Sequence, residues 1–250
     1  MSSLNGAIQF ATATSAVTGN ATVDTTAATG SVTVGLGSAA GNLTVSLGNA
    51  ATGNTNTVTT GAGNDTVTGG TGTDVITTNG GADTITAGRG ADTVTSGAGN
   101  DTIDLTESVS SIDTVVFAAT ATLNGLDTIT GFVVGADILN LAAFEADAAG
   151  DEVLIAAGAA TTTAGRVYYL GGLAAGSDAT TTTAAAAITA GATWTNANVT
   201  AWVVLSDADS TSIYSWTDAA DAGAVAGELT LVGTIDAAMT STQLAAAITV

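Results

Sequence analysis

The chain contains no cysteine, proline, histidine or lysine, and its only cations are Arg89 and Arg166. Without cysteine there is no disulfide framework and no thiolate chemistry. Metal ions can serve in place of disulfides as staples. Without histidine and cysteine the usual ligands of zinc, copper and iron are missing. The same absence leaves serine hydroxyls without an imidazole partner and the chain without its commonest general base. Two cations against 22 acidic residues give a net charge of −20, so nothing is available to neutralise phosphates. This argues against nucleic acid and against anionic membrane surfaces, and it favours cations as partners. The oxygen donors that remain suit hard cations such as calcium.

With 250 residues the chain can form one large domain or two small ones and bury a core. The N-terminus reads MSSLNGA, with no basic region and no long apolar run, so no Sec-type signal is visible. Apolar stretches are mostly alanine interrupted by Thr, Gly and Asp, which does not describe a membrane span. The composition looks extracellular while the export signal is missing, a conflict that any functional reading has to resolve.

Two repeat periods organise the first half. The runs NATV from Asn20, SVTV from Ser31 and NLTV from Asn42 stand eleven residues apart, each behind a glycine (Gly19, Gly30, Gly41). Short β-prone runs at a fixed period mark stacked coils or a small sandwich. No aspartate marks these turns, so the segment is expected to fold without metal. From Ala51 the period becomes nine, in the units ATGNTNTVT, TGAGNDTVT, GGTGTDVIT, TNGGADTIT, AGRGADTVT and SGAGNDTID. Asp65, Asp74, Asp83, Asp92 and Asp101 fall nine residues apart, with Asn56 in their place in the first unit. The glycines imply tight turns with positive φ and free carbonyls. In the strand that follows each turn, the middle residue (Val67, Ile76, Ile85, Val94, Ile103) is expected to point inward and its neighbours outward. Stacked turns bring carboxylates together, and like charges at that spacing call for a cation between them.

The unit GGTGTDVIT, from Gly69, matches the nonapeptide G-G-x-G-x-D-x-U-x of the RTX family in full, and the stretch resembles that family. The other units relax the first glycine (Thr60, Thr78, Ala87, Ser96), and one carries Asn79 at the second. The resemblance implies an all-β fold: a parallel β-roll, or β-solenoid, with two nonapeptides per turn. It implies calcium held between aspartates eighteen residues apart, Asp65 with Asp83 and Asp101, and Asp74 with Asp92. Turn carbonyls around Gly61, Gly63, Gly70, Gly72, Gly81, Gly88, Gly90, Gly97 and Gly99 would complete the shell. The following segment, with IDTVVF from Ile112, LDTITGF from Leu126 and GADILNL from Gly135, resembles the stretch that closes RTX rolls in type I secreted proteins. Asp113, Asp127 and Asp137 there are candidate ligands, or simply strand and turn caps.

The expected organisation is an N-terminal solenoid-like or assembly segment (1–50), the calcium-binding roll with its closing segment (51–145), and a β-rich C-terminal domain (146–250). All three Trp and all three Tyr lie in the last part. The runs from Trp202 and to Trp216 flank Asp207–Ser210 as a hairpin, and 174–190 includes a short helix. The aromatics are expected to pack a core rather than form a ligand platform. The acidic stretch 218–228 fails as an EF-hand, because Ala220 and Ala222 stand at the third and fifth positions. The small and apolar tail at 244–250 resembles the uncleaved export signals of type I secreted RTX proteins, which would resolve the missing N-terminal signal.

No catalytic set is present, and no H-E-x-x-H motif marks an RTX metalloprotease. The expected function is therefore structural: a secreted, calcium-loaded protein outside the cell or on its surface, similar to RTX-type surface-layer proteins. Its partners would be calcium, copies of itself in a sheet or filament, and cell-surface polysaccharide. An adhesin module using the aromatic C-terminal part is one alternative. Ice binding is another, through T-x-T units at Thr66, Thr84 and Thr93. Those threonine ladders look only two or three rungs long in the sequence, interrupted by Val75 and Asp104.

Overall fold

The computed structural model describes residues 8–11, 17–48, 53–118, 124–141, 152–154, 167–170, 180, 183–184, 186, 200–207, 210–217, 229–239, 243 and 248–249. The helix expected within 174–190, the acidic turn at 218–228 and the tail at 244–250 lie largely outside these residues.

Strands alternate between two parallel sheets, as a β-roll requires. One sheet stacks β1 (Ile8–Ala11), β3 (Val32–Gly35), β5 (Thr55–Thr59), β7 (Thr73–Thr77), β9 (Thr93–Thr95), β11 (Thr114–Val116), β13 (Ile138–Asn140) and β19 (Ile248–Thr249). The other stacks β2 (Ala21–Asp24), β4 (Leu43–Ser46), β6 (Thr66–Thr68), β8 (Thr84–Thr86), β10 (Thr102–Asp104) and β12 (Asp127–Thr130). Each strand is short because a Gly-rich turn must return the chain before the next layer, about 4.8 Å further on.

Strand parity builds the core. In the second sheet Val23, Val45, Val67, Ile85, Ile103 and Ile129 stand in one file. In the first, Val34, Val58, Ile76, Val94, Val115 and Leu139 form the opposing file. From Val34 and Val45 onward every one of these side chains is at most 1% exposed. The inward position expected for Val67, Ile76, Ile85, Val94 and Ile103 is therefore the observed one.

The eleven-residue repeats join the same roll: β3 pairs with β5 and β4 with β6, both parallel. Two such repeats make one coil, so that Asn42 and Asn64 meet across 22 residues, whereas nonapeptide coils meet across 18. These coils are β-solenoid, and not a small sandwich.

At the C-terminal end β18 (Leu229–Ile235) pairs in parallel with β12 and prolongs the second sheet. It is followed by β17 (Thr211–Thr217), β16 (Thr200–Ser206), β15 (Val167–Leu170) and β14 (Glu152–Leu154). β16 and β17 form the expected hairpin, Thr200 opposite Thr217 and Ser206 opposite Thr211. Trp202, Tyr214 and Trp216 are fully buried. Phe117, at the end of the roll, meets Trp202 edge to face with ring centroids 6.1 Å apart, so Trp202 packs the junction, while Tyr214 and Trp216 fall on the opposite face of the hairpin. Among the described residues no helix is long and apolar enough to cross a membrane.

Candidate metal centre

Along one edge of the roll, turns connect the first sheet to the second and carry Asp65, Asp83 and Asp101. Along the other edge, where the chain passes from the second sheet to the first, Asp74 stands at the start of β7 and Asp92 in the turn just before β9. Each aspartate lies two residues before an inward Val or Ile. Period-two parity therefore sends its carboxylate into the roll, and all five are at most 2% exposed.

The carboxylates form two files joined by one repeated bond. The backbone N–H of Asp65 donates to Oδ1 of Asp83 at 2.7 Å, and that of Asp83 to Oδ1 of Asp101 at 2.8 Å. On the other edge Asp74 N–H donates to Oδ1 of Asp92 at 2.8 Å. The files continue past the nonapeptides. Asp101 N–H donates to Asp127 Oδ1, Asp92 N–H to Asp113 Oδ1, and Asp113 N–H to Asp137 Oδ1. Asparagines add a second clamp on the first edge: Asn64 N–H donates to Asn42 Oδ1 and Ala82 N–H to Asn64 Oδ1.

The second carboxylate oxygen behaves differently. Oδ2 of Asp65, Asp74, Asp83, Asp92 and Asp101 is buried with no hydrogen-bond partner. Elsewhere in the files protein donors fill this role: the Ser96 hydroxyl donates to Asp127 Oδ2 at 3.1 Å and Val133 N–H to Asp137 Oδ2 at 2.7 Å. A buried anionic oxygen without a donor is costly. Burial accordingly pushes the carboxyl of Asp74 up to about 7, of Asp83 and Asp113 to about 6, and of Asp92 and Asp127 to about 8. The charges of Asp74, Asp113 and Glu107 add to the rise at Asp92. Burial also raises Asp101 and Asp137.

The turns are as tight as their glycines suggest. Gly70, Gly72, Gly81, Gly88, Gly90, Gly97 and Gly99 adopt positive φ, and Asn79 takes φ 67°, a region that asparagine tolerates better than most residues. Gly61 and Gly63 lie outside this region. A Cβ at Gly99 would stand 1.7 Å from the carbonyl oxygen of Gly81, so stacking itself demands glycine there. The expectation of free turn carbonyls needs correction. Gly61 O accepts from Gly80 N–H at 3.1 Å and Gly70 O from Arg89 N–H at 2.9 Å, because a parallel stack also pairs its turns. Each such oxygen keeps a second lone pair.

Among the described residues no three acidic side chains converge on one point. The arrangement instead offers one or two carboxylates per layer beside turn carbonyls, a hard oxygen donor set of the kind calcium takes. The five unpartnered oxygens fit a divalent cation. What the sequence reading missed is the inward direction of the carboxylates and their bonding to neighbouring backbone. The spacing of Asp65 from Val67 held that information.

Residues 51–85 and 77–106 match the RTX calcium-binding nonapeptide repeat (4 copies). A comparison with curated proteins gave no match. The chain carries no histidine or cysteine. The stretch 51–106 is a run of RTX-type calcium-binding repeats, wound as the central coils of a parallel β-solenoid.

Proposed function

We propose that the protein is a secreted structural subunit that takes up calcium outside the cell and assembles with copies of itself into a surface layer or filament. Calcium neutralises buried carboxylates when bound. The residues that would hold it are Asp65, Asp83 and Asp101 on one edge and Asp74 and Asp92 on the other. Asp127 would continue the first file and Asp113 the second, with carbonyls of the Gly61, Gly63, Gly70, Gly72, Gly81, Gly88, Gly90, Gly97 and Gly99 turns. The cytosol is poor in calcium. A chain exported by a type I route would cross unfolded and fold on release. The observation that carries the assembly reading is the open end of the solenoid. Among the described residues β1 and β2 each pair on one side only. Unpaired strand edges template further strands, and contacts between unlike ends do not close on themselves, which yields filaments or sheets. Negative-stain microscopy and light scattering of the full chain test it. Ordered assemblies with calcium and none in chelator are expected, and a strict monomer in excess calcium at high concentration would contradict it.

One observation favours a second reading. The outward threonine file is longer than the sequence suggested: Thr22, Thr44, Thr66, Thr84, Thr102, Thr128 and Thr234 stand in unbroken register across the second sheet. Asp104 belongs to the neighbouring file and does not interrupt it. A regular hydroxyl array of this length can order water, and thermal hysteresis of the purified protein distinguishes ice binding from assembly. The adhesin alternative loses support at Trp202, Tyr214 and Trp216, which are buried and present no surface.

A further inference from the structure

The two carboxylate files have defined starting points. In the second sheet the positions in register with Asp65 in earlier coils are Leu43 and Ala21. Leu43 is 1% exposed, and its backbone N–H donates to Asp65 Oδ1 at 2.7 Å. In the first sheet the positions in register with Asp74 are Asn56 and, one coil earlier, Val32. Asn56 is as buried as the aspartates. Its Oδ1 accepts from Val32 N–H at 3.0 Å, as the aspartates accept from the coil before them. Its amide Nδ2 donates to Asp74 Oδ1 at 2.7 Å, a bond that a carboxylate could not make. Thus one uncharged side chain satisfies both the metal-free coil before it and the first aspartate after it.

We propose that Asn56 is the residue that stops the calcium file on this edge, and that the apolar coils before it are a metal-independent template for the calcium-dependent coils. The proposal rests on the calcium reading of the nonapeptides. Its chemistry is specific to the amide. Aspartate at this position would keep the bond from Val32 N–H, lose the donor to Asp74, and place two carboxylates in successive layers with no cation between them. The apolar occupants Val32 and Leu43 make the same positions indifferent to metal one coil earlier. The structured template then offers strand edges β5 and β4, on which β7 and β6 can pair as calcium is taken up.

Hydrogen exchange of the full-length protein, followed by mass spectrometry with calcium and with chelator, tests this. In the wild type, β3 and β4 should stay protected in chelator while β6 to β10 exchange, and calcium should protect all of them. Asn56→Asp should lose protection at β3 and β5 in chelator and regain it with calcium. Asn56→Ala, which lacks both the donor and the charge, should lose the same protection with or without calcium. Full protection of β3 and β5 in Asn56→Asp without calcium would overturn the proposal, as would a loss that calcium does not reverse. Wild-type β6 to β10 equally protected in chelator would overturn the calcium reading itself, and the inference with it, whatever the variants do.

Discussion

The backbone N–H of Asp83 donates to Oδ1 of Asp101 at 2.8 Å, while Oδ2 of each of these carboxylates is buried without a partner. One oxygen holds the coils in register and the other is left for a cation. This division makes the nonapeptide coils depend on their ion, because the same burial that positions the carboxylate penalises its charge.

Asp83→Asn separates the two roles. The amide keeps an oxygen for Asp65 N–H and gains a donor toward Asp101, as Asn56 has toward Asp74. It removes one unsatisfied buried oxygen, worth about 1–3 kcal/mol. In chelator this variant should unfold at higher denaturant than the wild type. In calcium the order should reverse, since Asp83 faces a neighbouring aspartate on both sides. Urea unfolding of both proteins in both conditions checks the crossing.

The raised carboxyls set the sign of the pH dependence. In the unfolded chain an aspartate titrates near 3.9, whereas in the roll Asp83 and Asp113 titrate near 6, Asp74 near 7, and Asp92 and Asp127 near 8. Between these values the folded state binds more protons than the unfolded one, so stability falls as pH rises. The protonated contribution is fully present below about pH 4 and is lost through pH 6–8. The chelated protein should therefore be more stable at pH 5 than at pH 8. Calcium competes with those protons, so its apparent affinity should rise over the same window. Unfolding in chelator and calcium titration at several pH values measure both.

Gly99→Ala tests the turn stacking. Its φ of 143° disfavours any side chain, and a Cβ would meet the Gly81 carbonyl at 1.7 Å. Backbone strain alone costs on the order of 1–3 kcal/mol, and the clash adds to it. The variant should lower the unfolding midpoint in calcium and weaken calcium binding. Gly53→Ala, where positive φ persists but no atom lies within 4 Å, should cost less.

Much of this was legible in the sequence, for identifiable reasons. The nine-residue period follows from aspartate and glycine positions, its doubling to an 18-residue coil is what the resemblance to the RTX family implies, and parity names the inward Val and Ile. The eleven-residue repeats were readable as coils. Their continuity with the roll was not, because Leu43 and Val32 replace polar residues with apolar ones at the register position of the aspartates. The role of Asn56 was hidden for the same reason: in one unit it looks like a lapse from the motif, and only its partners Val32 and Asp74 reveal its use. The joining of β18 to β12 pairs Gly233 with Asp127, a contact so distant along the chain that no local pattern encodes it. The last rung of the threonine file, Thr234, depends on that contact too.

The most direct test of the account is a calcium titration of the full chain, with binding measured by calorimetry and β-structure by circular dichroism in the same buffer. The account predicts saturable binding of several ions, with the β-structure of the nonapeptide coils lost in chelator and gained in step with occupancy, while the coils before Asn56 keep theirs. A chain that shows the same β-structure in excess chelator as in excess calcium, with no heat of binding, would contradict it.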